Sequence, residues 1–230
     1  MNQPASAAVT AQPSAPGEAP PLIAVLVVIF TVADGDLQAL LIHRSADPYR
    51  DFWAIPGGRL NAGEPLFDAA TRKLVDETGV RDVYLEQLYT FSHLDEVTAG
   101  GAVAVVYFAL VDRERVRLAD RADWRPAWFS MRRLPELAFR NDEVLDYALE
   151  RLRYKLEYTN VAYSLLPERF TLSHLQRVYE SILERKLDKR NFRKRMLSLG
   201  IIETTGEQQV ERAGRPAQLY RFSSREPVAL

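Results

Sequence analysis

The sequence predicts two domains, an α/β domain with a mixed sheet followed by a smaller, basic domain rich in helices. In the first part, apolar runs of strand length surround one amphipathic helical segment, whereas short helical patterns begin after about residue 157. The charge changes near the same point. Residues from 151 onward carry 16 Lys and Arg against 9 Asp and Glu, and the remainder carries 14 against 22. An acidic first part and a basic second part of the chain predict that the second domain binds a polyanion.

The amino-terminal segment, residues 1–20, is rich in Ala, Pro, Ser and Gln, and we expect a disordered tail. It does not resemble a signal peptide, because the first basic residue is Arg44. The apolar run at residues 22–32 is far shorter than the roughly 20 residues that a membrane helix needs, so we interpret it as a buried strand. We accordingly expect no membrane partner. The chain has no cysteine, which excludes disulfides, thiolate nucleophiles and Cys-based zinc sites and agrees with a cytoplasmic protein.

The first domain contains a strong hairpin signal, Asp34-Gly35, between the apolar runs at 22–32 and 37–42. A short strand at residues 53–55 leads into a glycine-rich loop. Further strands are predicted at 83–91, 102–110 and 127–129. The last element is predicted to be a helix that ends near Leu156 and is capped by Asn141 or Asp142. Its apolar stripe consists of Val144, Leu145, Ala148, Leu149, Leu152 and Leu156.

Residues 57–80 form the most informative stretch, a glycine-rich loop followed by an amphipathic helix that Pro65 starts and Gly79 stops. The charged residues of this helix are spaced four apart, so they share one face, and Glu64 lies within reach of Arg72. Acidic groups behind such a loop suit Mg²⁺ shared with a substrate phosphate. The alternative is an ordinary charged surface helix. The pairs are Arg72 with Asp76 and Lys73 with Glu77, and the apolar stripe is Leu66, Ala69, Ala70 and Leu74.

The second domain shows the element order of a winged helix-turn-helix. Thr171 is predicted to cap one helix and Asp188 a second, whose core face is Phe192, Met196 and Leu199. Strands at 201–204 and 219–222 then surround a loop that contains Gly206, Gly214, Arg215 and Pro216. The alternative is a solvated charged face on a small helical domain. The candidate DNA-binding residues are Thr171, Lys189, Arg190, Asn191, Arg193, Lys194 and, near the wing tip, Arg215.

The loop and helix resemble the Nudix box, with matches at Gly58, Glu64, Arg72, Leu74, Glu77, Gly79 and Val80. Two positions depart from the box, because Lys73 and Asp76 stand where the family has Glu. The second domain adds DKRNFRKRM and GRPAQLYRF, and the segments at 85–91, 151–159 and 165–172 are similar too. Nearly the whole chain after residue 20 resembles the Nudix-related transcriptional regulators of NAD metabolism. The resemblance implies a Nudix α/β/α sandwich at 21–157 and a winged helix-turn-helix domain at 158–230.

The resemblance also implies a homodimer that represses genes of NAD biosynthesis or salvage and binds ADP-ribose or a related NAD derivative. A two-fold dimer is expected to recognise a near-palindromic operator. One segment, residues 93–101, departs from the family, which has an Arg/Asp/Pro-rich sequence there. Whether the ligand releases or tightens DNA binding is open, as is the choice between ADP-ribose and NAD.

Lys73 decides the functional interpretation, because in the family the corresponding Glu is a metal ligand and a candidate base. Two unit charges about 4 Å apart interact by roughly 4 kcal/mol at an effective dielectric of 20, so a cation here opposes a metal ion. We therefore assign no catalytic residue in the degenerate box and no required cofactor, with Mg²⁺ on Asp76 and Glu77 as a weak option. The box residues concerned are Glu64, Arg72, Lys73, Asp76 and Glu77.

The hypothesis that follows is that the Lys73 ammonium holds the ligand pyrophosphate directly. Trp53 or Phe91 is a candidate to stack on adenine, although a core role is the slightly favoured alternative for each. The candidate effector-binding residues are Arg44, Trp53, Gly57, Gly58, Arg59, Lys73, Glu77 and Phe91. Two other functions stay open: an active Mg²⁺-dependent pyrophosphatase for ADP-ribose-like nucleotides with a basic accessory domain, and an inactive Nudix module that binds protein partners.

Overall fold

The computed structural model describes residues 21–81, 83–92, 94, 101–119, 124–210 and 216–228. The predicted tail at 1–20, most of the departing segment at 93–101, and Arg215 lie outside the described residues. The first domain contains β1 (Leu22–Ala33), β2 (Asp36–His43), β3 (Trp53–Ala54), β4 (Gly57–Arg59), α1 (Leu66–Thr78), β5 (Tyr84–Ser92), β6 (Ala102–Leu110), β7 (Arg125–Ser130) and α2 (Asn141–Tyr158). The second contains β8 (Phe170–Thr171), α3 (Leu172–Leu183), α4 (Lys189–Ser198), β9 (Ile202–Gln209) and β10 (Ala217–Phe222).

The first domain is built on a mixed sheet, as predicted. The strand order is β3-β2-β1-β6-β5, with β4 paired to β1 and β7 paired to β2. Only the β1–β6 pairing is parallel among the described strands. Alternate side chains of β1 serve opposite faces. Val25, Val27 and Ile29 pack with α1, whereas Val28 and Phe30 belong to the core that contains α2.

The hairpin between β1 and β2 forms where the sequence predicts it. Asp34 and Gly35 both have positive φ, 52° and 75°, and Ala33 pairs with Asp36. Two central residues with positive φ match the right-handed twist of the flanking strands. The turn therefore fixes which face of each strand points to which helix.

The start of α2 corrects the prediction that Asn141 or Asp142 caps it. The capping position is Arg140, in the left-handed region at φ 49°, and no side chain caps the helix there. Asn141 is the first helical residue and is 1% exposed. Its Oδ1 accepts a hydrogen bond from the Ile55 amide at 2.7 Å. The side chain thus holds the segment that leads into the glycine-rich loop instead of closing the helix.

The second domain contains two α-helices and a three-stranded sheet, and the sequence predicted this arrangement only in part. The sheet order is β8-β10-β9, and β8 has no counterpart in the prediction. Gly206 lies inside β9, at φ 79°, and not in the loop after it, because β9 continues to Gln209. The pairing of β9 with β10 is irregular beside Gly206. Gln218 pairs with Gln208 and Tyr220 pairs with Thr204, so β9 has extra residues between these two pairs, as in a β-bulge.

A single apolar core continues from the first domain into the second. It includes Leu152 and Leu156 of α2 together with Leu175, Val178 and Ile182 of α3. α2 ends at Tyr158, one residue past the predicted domain boundary. The two domains are therefore packed against each other, not joined by an extended linker. No helix of the described part of the chain is long and apolar enough to cross a membrane.

Candidate functional sites

The glycine-rich loop is fastened to both β1 and α1. The Gly57 amide donates to Oε2 of Glu77 at 2.7 Å. A Cβ atom at Gly57 would lie 2.4 Å from the Val25 carbonyl oxygen, so no larger residue fits without moving the backbone. Glu77 is buried, with 5% of the whole residue exposed. The loop and the end of α1 thus form one rigid unit around a buried carboxylate.

Lys73 fills the space between that loop and that carboxylate. Its Nζ lies 3.2 Å from Oε1 of Glu77, and the two side chains are 19% and 7% exposed. A Cβ atom at Gly58 would lie 2.7 Å from Lys73 Nζ, so glycine is what lets the ammonium reach this position. Burial raises the pKa of Glu77, while Lys73 and the Gly57 amide act in the opposite direction.

Glu64 and Arg72 form the contact that their spacing predicts. Arg72 Nε donates to Glu64 Oε1 at 2.6 Å and Nη2 donates to Oε2 at 2.7 Å, a bidentate pair. The Arg72 guanidinium lowers the pKa of Glu64 to about 2. The Asn61 amide also donates to this carboxylate, at 3.2 Å. The Glu64 carboxylate therefore fastens the loop to the helix.

The box offers a metal ion few free oxygen atoms. Glu64 is paired with Arg72 and Glu77 with Lys73, and Asp76 is exposed beside them. No group of three or more acidic or histidine side chains in the described ranges is arranged to hold a metal. Mg²⁺ is usually held by one or two carboxylates together with waters and substrate phosphates, so the cations already paired with Glu64 and Glu77 are what make this donor set a poor fit. An ammonium already lies against the buried carboxylate.

The remaining predicted effector residues lie on neighbouring elements. Arg59 is exposed at the end of β4, next to Gly58, with no ion pair to any described residue. Trp53 is half-buried, with its ring centroid 4.5 Å from that of Phe129 in an edge contact. Phe91 is half-buried with its centroid 5.5 Å from that of Tyr147. Both rings pack on the core, and a stacking role for either stays a prediction.

Arg44, predicted as a further cation, is engaged with the loop after β2. Its Nη2 donates to the Pro48 carbonyl at 2.8 Å, and the guanidinium lies 4.5 Å from the centre of the Phe139 ring. These contacts hold the Arg44 side chain on the loop and on a residue just before α2. Its contribution to ligand binding stays a prediction.

The basic helix α4 has the predicted division into two faces. Asp188 Oδ1 accepts from the Asn191 amide at 2.8 Å and so caps the helix. Phe192 and Met196 are buried, at 7% and 1% exposure. The other face carries exposed, mostly cationic side chains, namely Lys189, Arg190, Asn191, Arg193 and Lys194.

A groove of about 650 Å³ lies between the amino-terminal ends of α3 and α4 and the wing strands. Lys189 and Arg193 line it from α4, and Arg193 Nη2 donates to the Tyr220 hydroxyl on β10 at 3.4 Å. Thr171 also lines the groove, but it is 8% exposed and its hydroxyl accepts from the His174 amide at 3.1 Å. The structure adds polar residues that sequence reasoning missed: Ser173, Gln176, Gln208 and Gln218. Of these four residues, only Ser173 could have been suspected from the local sequence, because it lies in the first turn of the helix that Thr171 caps.

Two family models match the chain. The model described as the NUDIX domain matches residues 20–150, and the model described as the NrtR DNA-binding winged helix domain matches residues 162–222. Fold and site together define a Nudix domain joined to a winged helix domain, which confirms the predicted fold class. The chain belongs to the NrtR family.

Known relatives support this assignment over most of the length. The chain is 39% identical over 210 residues to the ADPR responsive transcriptional repressor NtrR of Acinetobacter baylyi, covering 88% of this chain and 82% of that protein. It matches Shewanella oneidensis NrtR complexed with a 27mer DNA with a TM-score of 0.77 and 33% identity, over 87% of this chain and 93% of that one. The NUDIX domain of Shewanella oneidensis NrtR complexed with ADP ribose matches with a TM-score of 0.52 and 31% identity, over 57% and 88%.

Proposed function

We propose that this chain is a transcriptional repressor that binds operator DNA and responds to ADP-ribose through a Nudix domain that does not hydrolyse it. The observation that carries the proposal is the Lys73 ammonium, held 3.2 Å from Oε1 of Glu77 beside the glycine-rich loop. A cation in this position keeps the anion-binding character of the site while it opposes the metal that hydrolysis needs. Relatives that bind ADP-ribose or DNA support the same assignment.

The pyrophosphate of the ligand would bind near Gly57 and Gly58. Lys73 acts there as a point charge, and the exposed Arg59 guanidinium supplies donors in a planar arrangement that suits phosphate oxygens. Because Glu77 neutralises part of the Lys73 charge, an anion that approaches the ammonium gains less than it would from a free lysine. We expect the ligand to bind without a metal ion and to dissociate without being hydrolysed.

The DNA duplex would be contacted by α4 and the wing. Lys189 and Arg193 share one groove with β9 and β10, whereas Arg190 and Lys194 extend the exposed basic surface. A helix presented in this way reads base edges in the major groove while neighbouring cations neutralise phosphates. As a homodimer, the protein would recognise a near-palindrome whose half-sites are spaced by helical turns. The expected targets are genes of NAD biosynthesis or salvage, and the expected compartment is the cytoplasm.

Ligand and DNA would be linked through the contact between the domains. If each binds one arrangement of the dimer better than another, each changes the affinity of the other by the same factor. The continuous core from α2 to α3 provides a physical connection, because α3 packs directly beside the DNA-reading helix. The direction of the effect, release or tightening, is what the experiment measures.

The test is an anisotropy titration of ADP-ribose into the complex of the full chain with DNA from upstream of its own gene. We expect a change in DNA affinity with EDTA present, and the same change with Mg²⁺, while the ligand is recovered intact. Hydrolysis of ADP-ribose with release of AMP, together with unaltered DNA binding, would identify a pyrophosphatase instead. DNA binding without salt dependence, or no DNA binding, would favour the protein-binding module.

A further inference from the structure

A cavity of about 710 Å³ lies where the two domains meet, apart from the glycine-rich loop. The first domain lines it with the residues after α1, the end of β6 and the 3₁₀ turn Arg113–Arg115. The second domain lines it with the 3₁₀ turn Val161–Leu165 and the carboxy-terminal segment at 225–227. A molecule bound in this cavity would contact both domains at once.

Arginines dominate the charge of this cavity. Arg81, Arg115 and Arg117 line it and are exposed, and none of them forms an ion pair with a described residue. Two acidic side chains, Asp112 and Glu226, also line it. Asp112 Oδ1 is already used, because it accepts from the Glu114 amide at 3.2 Å. The concave surface therefore carries an excess of unpaired positive charge, which concentrates anions.

A fourth arginine is fixed in the wall. Arg225 Nη2 donates to the carbonyl oxygens of Tyr163 and Leu166, at 2.9 and 3.1 Å. Burial, and then repulsion from Arg115, lower the pKa of Arg225, while the carboxylates of Glu168 and Asp112 act in the opposite direction. An anion in the cavity would form charge-assisted hydrogen bonds to these guanidinium groups.

A buried hydroxyl points to the same conclusion independently. Ser164 is 8% exposed and lines the cavity. Its Oγ makes no hydrogen bond of acceptable geometry within the described part of the chain, although it lies close enough to the Tyr163 hydroxyl to lower the pKa of that tyrosine. Buried polar atoms are nearly always paired, and an unpaired one carries a desolvation cost. Because Oγ is shielded from solvent here, a ligand oxygen would become its partner once the Ser164 side chain turns toward the cavity.

We propose that this cavity binds a phosphate or pyrophosphate group, free or carried by a small metabolite, between the two domains. The arginines supply the charge-assisted donors and Ser164 supplies a neutral one. The site shares no charged residue with the cluster of Lys73, Glu77 and Arg59, so it does not depend on the ADP-ribose proposal. Because it joins the 3₁₀ turns of both domains, an anion here would hold their relative packing.

Calorimetric titration of inorganic pyrophosphate into the full chain tests the proposal. We expect saturable binding that the double variant Arg115→Ala/Arg117→Ala weakens by about tenfold or more, since two charge-assisted contacts are lost. The matched control is Arg50→Ala/Arg133→Ala, which removes the same net charge from exposed positions outside the cavity and should leave affinity unchanged. Ser164→Ala, which keeps every charge, should weaken binding severalfold without lowering the melting temperature.

The variant Arg59→Ala separates this site from the Nudix loop. Pyrophosphate binding that survives Arg59→Ala and saturating ADP-ribose supports the proposal, and it does so even if ADP-ribose itself fails to bind. Binding that Arg59→Ala abolishes and Arg115→Ala/Arg117→Ala leaves intact would overturn it. So would no binding at all, or a double variant that loses affinity for DNA while it keeps its affinity for pyrophosphate.

Discussion

Glu184 and Arg153 join the two domains through an ion pair of 2.7 Å between Oε2 and Nη2. Glu184 follows α3 in the left-handed region, at φ 52°, and Arg132 Nε donates to its other oxygen at 3.1 Å. Arg153 Nε also donates to the Ile182 carbonyl at 2.9 Å, near the end of α3, where a cation complements the helix dipole. α3, which packs beside α4, is thus fastened to α2 at its carboxyl end.

Arg153→Ala should reduce the factor by which ADP-ribose changes operator affinity, while it leaves the affinity of the ligand-free protein nearly unchanged. The reason is that the variant removes a contact between domains and none to DNA. Because the pair is partly exposed, the free energy of unfolding should fall by only about 1 kcal/mol. The measurement is operator affinity by anisotropy with and without ADP-ribose. Arg50→Ala, which breaks an exposed pair within one domain, is the control. If ADP-ribose changes operator affinity by the same factor in both variants, other contacts between the domains carry the effect.

Lys73→Met should lower ADP-ribose affinity by about tenfold or more in EDTA, because it removes the ammonium beside the glycine-rich loop. Lys73→Glu should bind the ligand only when Mg²⁺ is added, since a carboxylate there restores an oxygen ligand and removes a cation. Calorimetry with EDTA and with excess Mg²⁺ measures both. Lys186→Met, at a 92% exposed lysine paired with Glu180, is the control. A strict Mg²⁺ requirement in the unmodified protein would contradict the proposed role of Lys73.

Arg193→Ala or Arg190→Ala should weaken operator binding, by about 1–3 kcal/mol where the side chain reads a guanine. Arg193 faces the groove that α4 shares with the wing. Arg195 on the same helix lines a different cavity, with Leu156 and Tyr179, and Arg195→Ala therefore controls for loss of charge. Gel-shift titrations that find both variants unchanged would mean that another face of α4 meets the DNA.

Tyr179→Phe should leave stability at pH 7 unchanged or raise it by about 1 kcal/mol. The Tyr179 hydroxyl is buried without a hydrogen-bond partner among the described residues, and removing such a group removes its desolvation cost. Burial also raises the pKa of Tyr179 to about 12. The unfolded chain ionises this tyrosine from about pH 10, so the unmodified protein should lose stability above pH 10.

Urea unfolding between pH 8 and pH 11 measures this effect, and the Tyr179→Phe variant should show a shallower loss of stability on the alkaline side. Tyr158→Phe, at a 44% exposed tyrosine, is the matched control and should follow the unmodified protein. A loss of more than about 1 kcal/mol at pH 7 in Tyr179→Phe would show that the hydroxyl has a partner.

The features that the sequence predicted correctly are those that a few neighbouring residues decide. Asp34 and Gly35 tolerate positive φ, so their turn is readable from two letters. Thr171 and Asp188 each accept an amide hydrogen from the residue three positions later, which makes both caps local. The spacing of Lys73 and Glu77 likewise fixes their contact on one helix face.

The features that only the tertiary structure decided join residues far apart in the chain. Asn141 was expected to cap its own helix, yet its Oδ1 accepts a hydrogen bond from the backbone N–H of Ile55, 86 positions away, because packing α2 on the sheet brings the two groups together. The partner of Arg225, the unpaired Ser164 hydroxyl and the ion pair between α2 and α3 likewise depend on how two domains share one core. Local sequence sets backbone angles and helix faces, but only the burial of those faces against each other decides which polar groups meet and which are left without a partner.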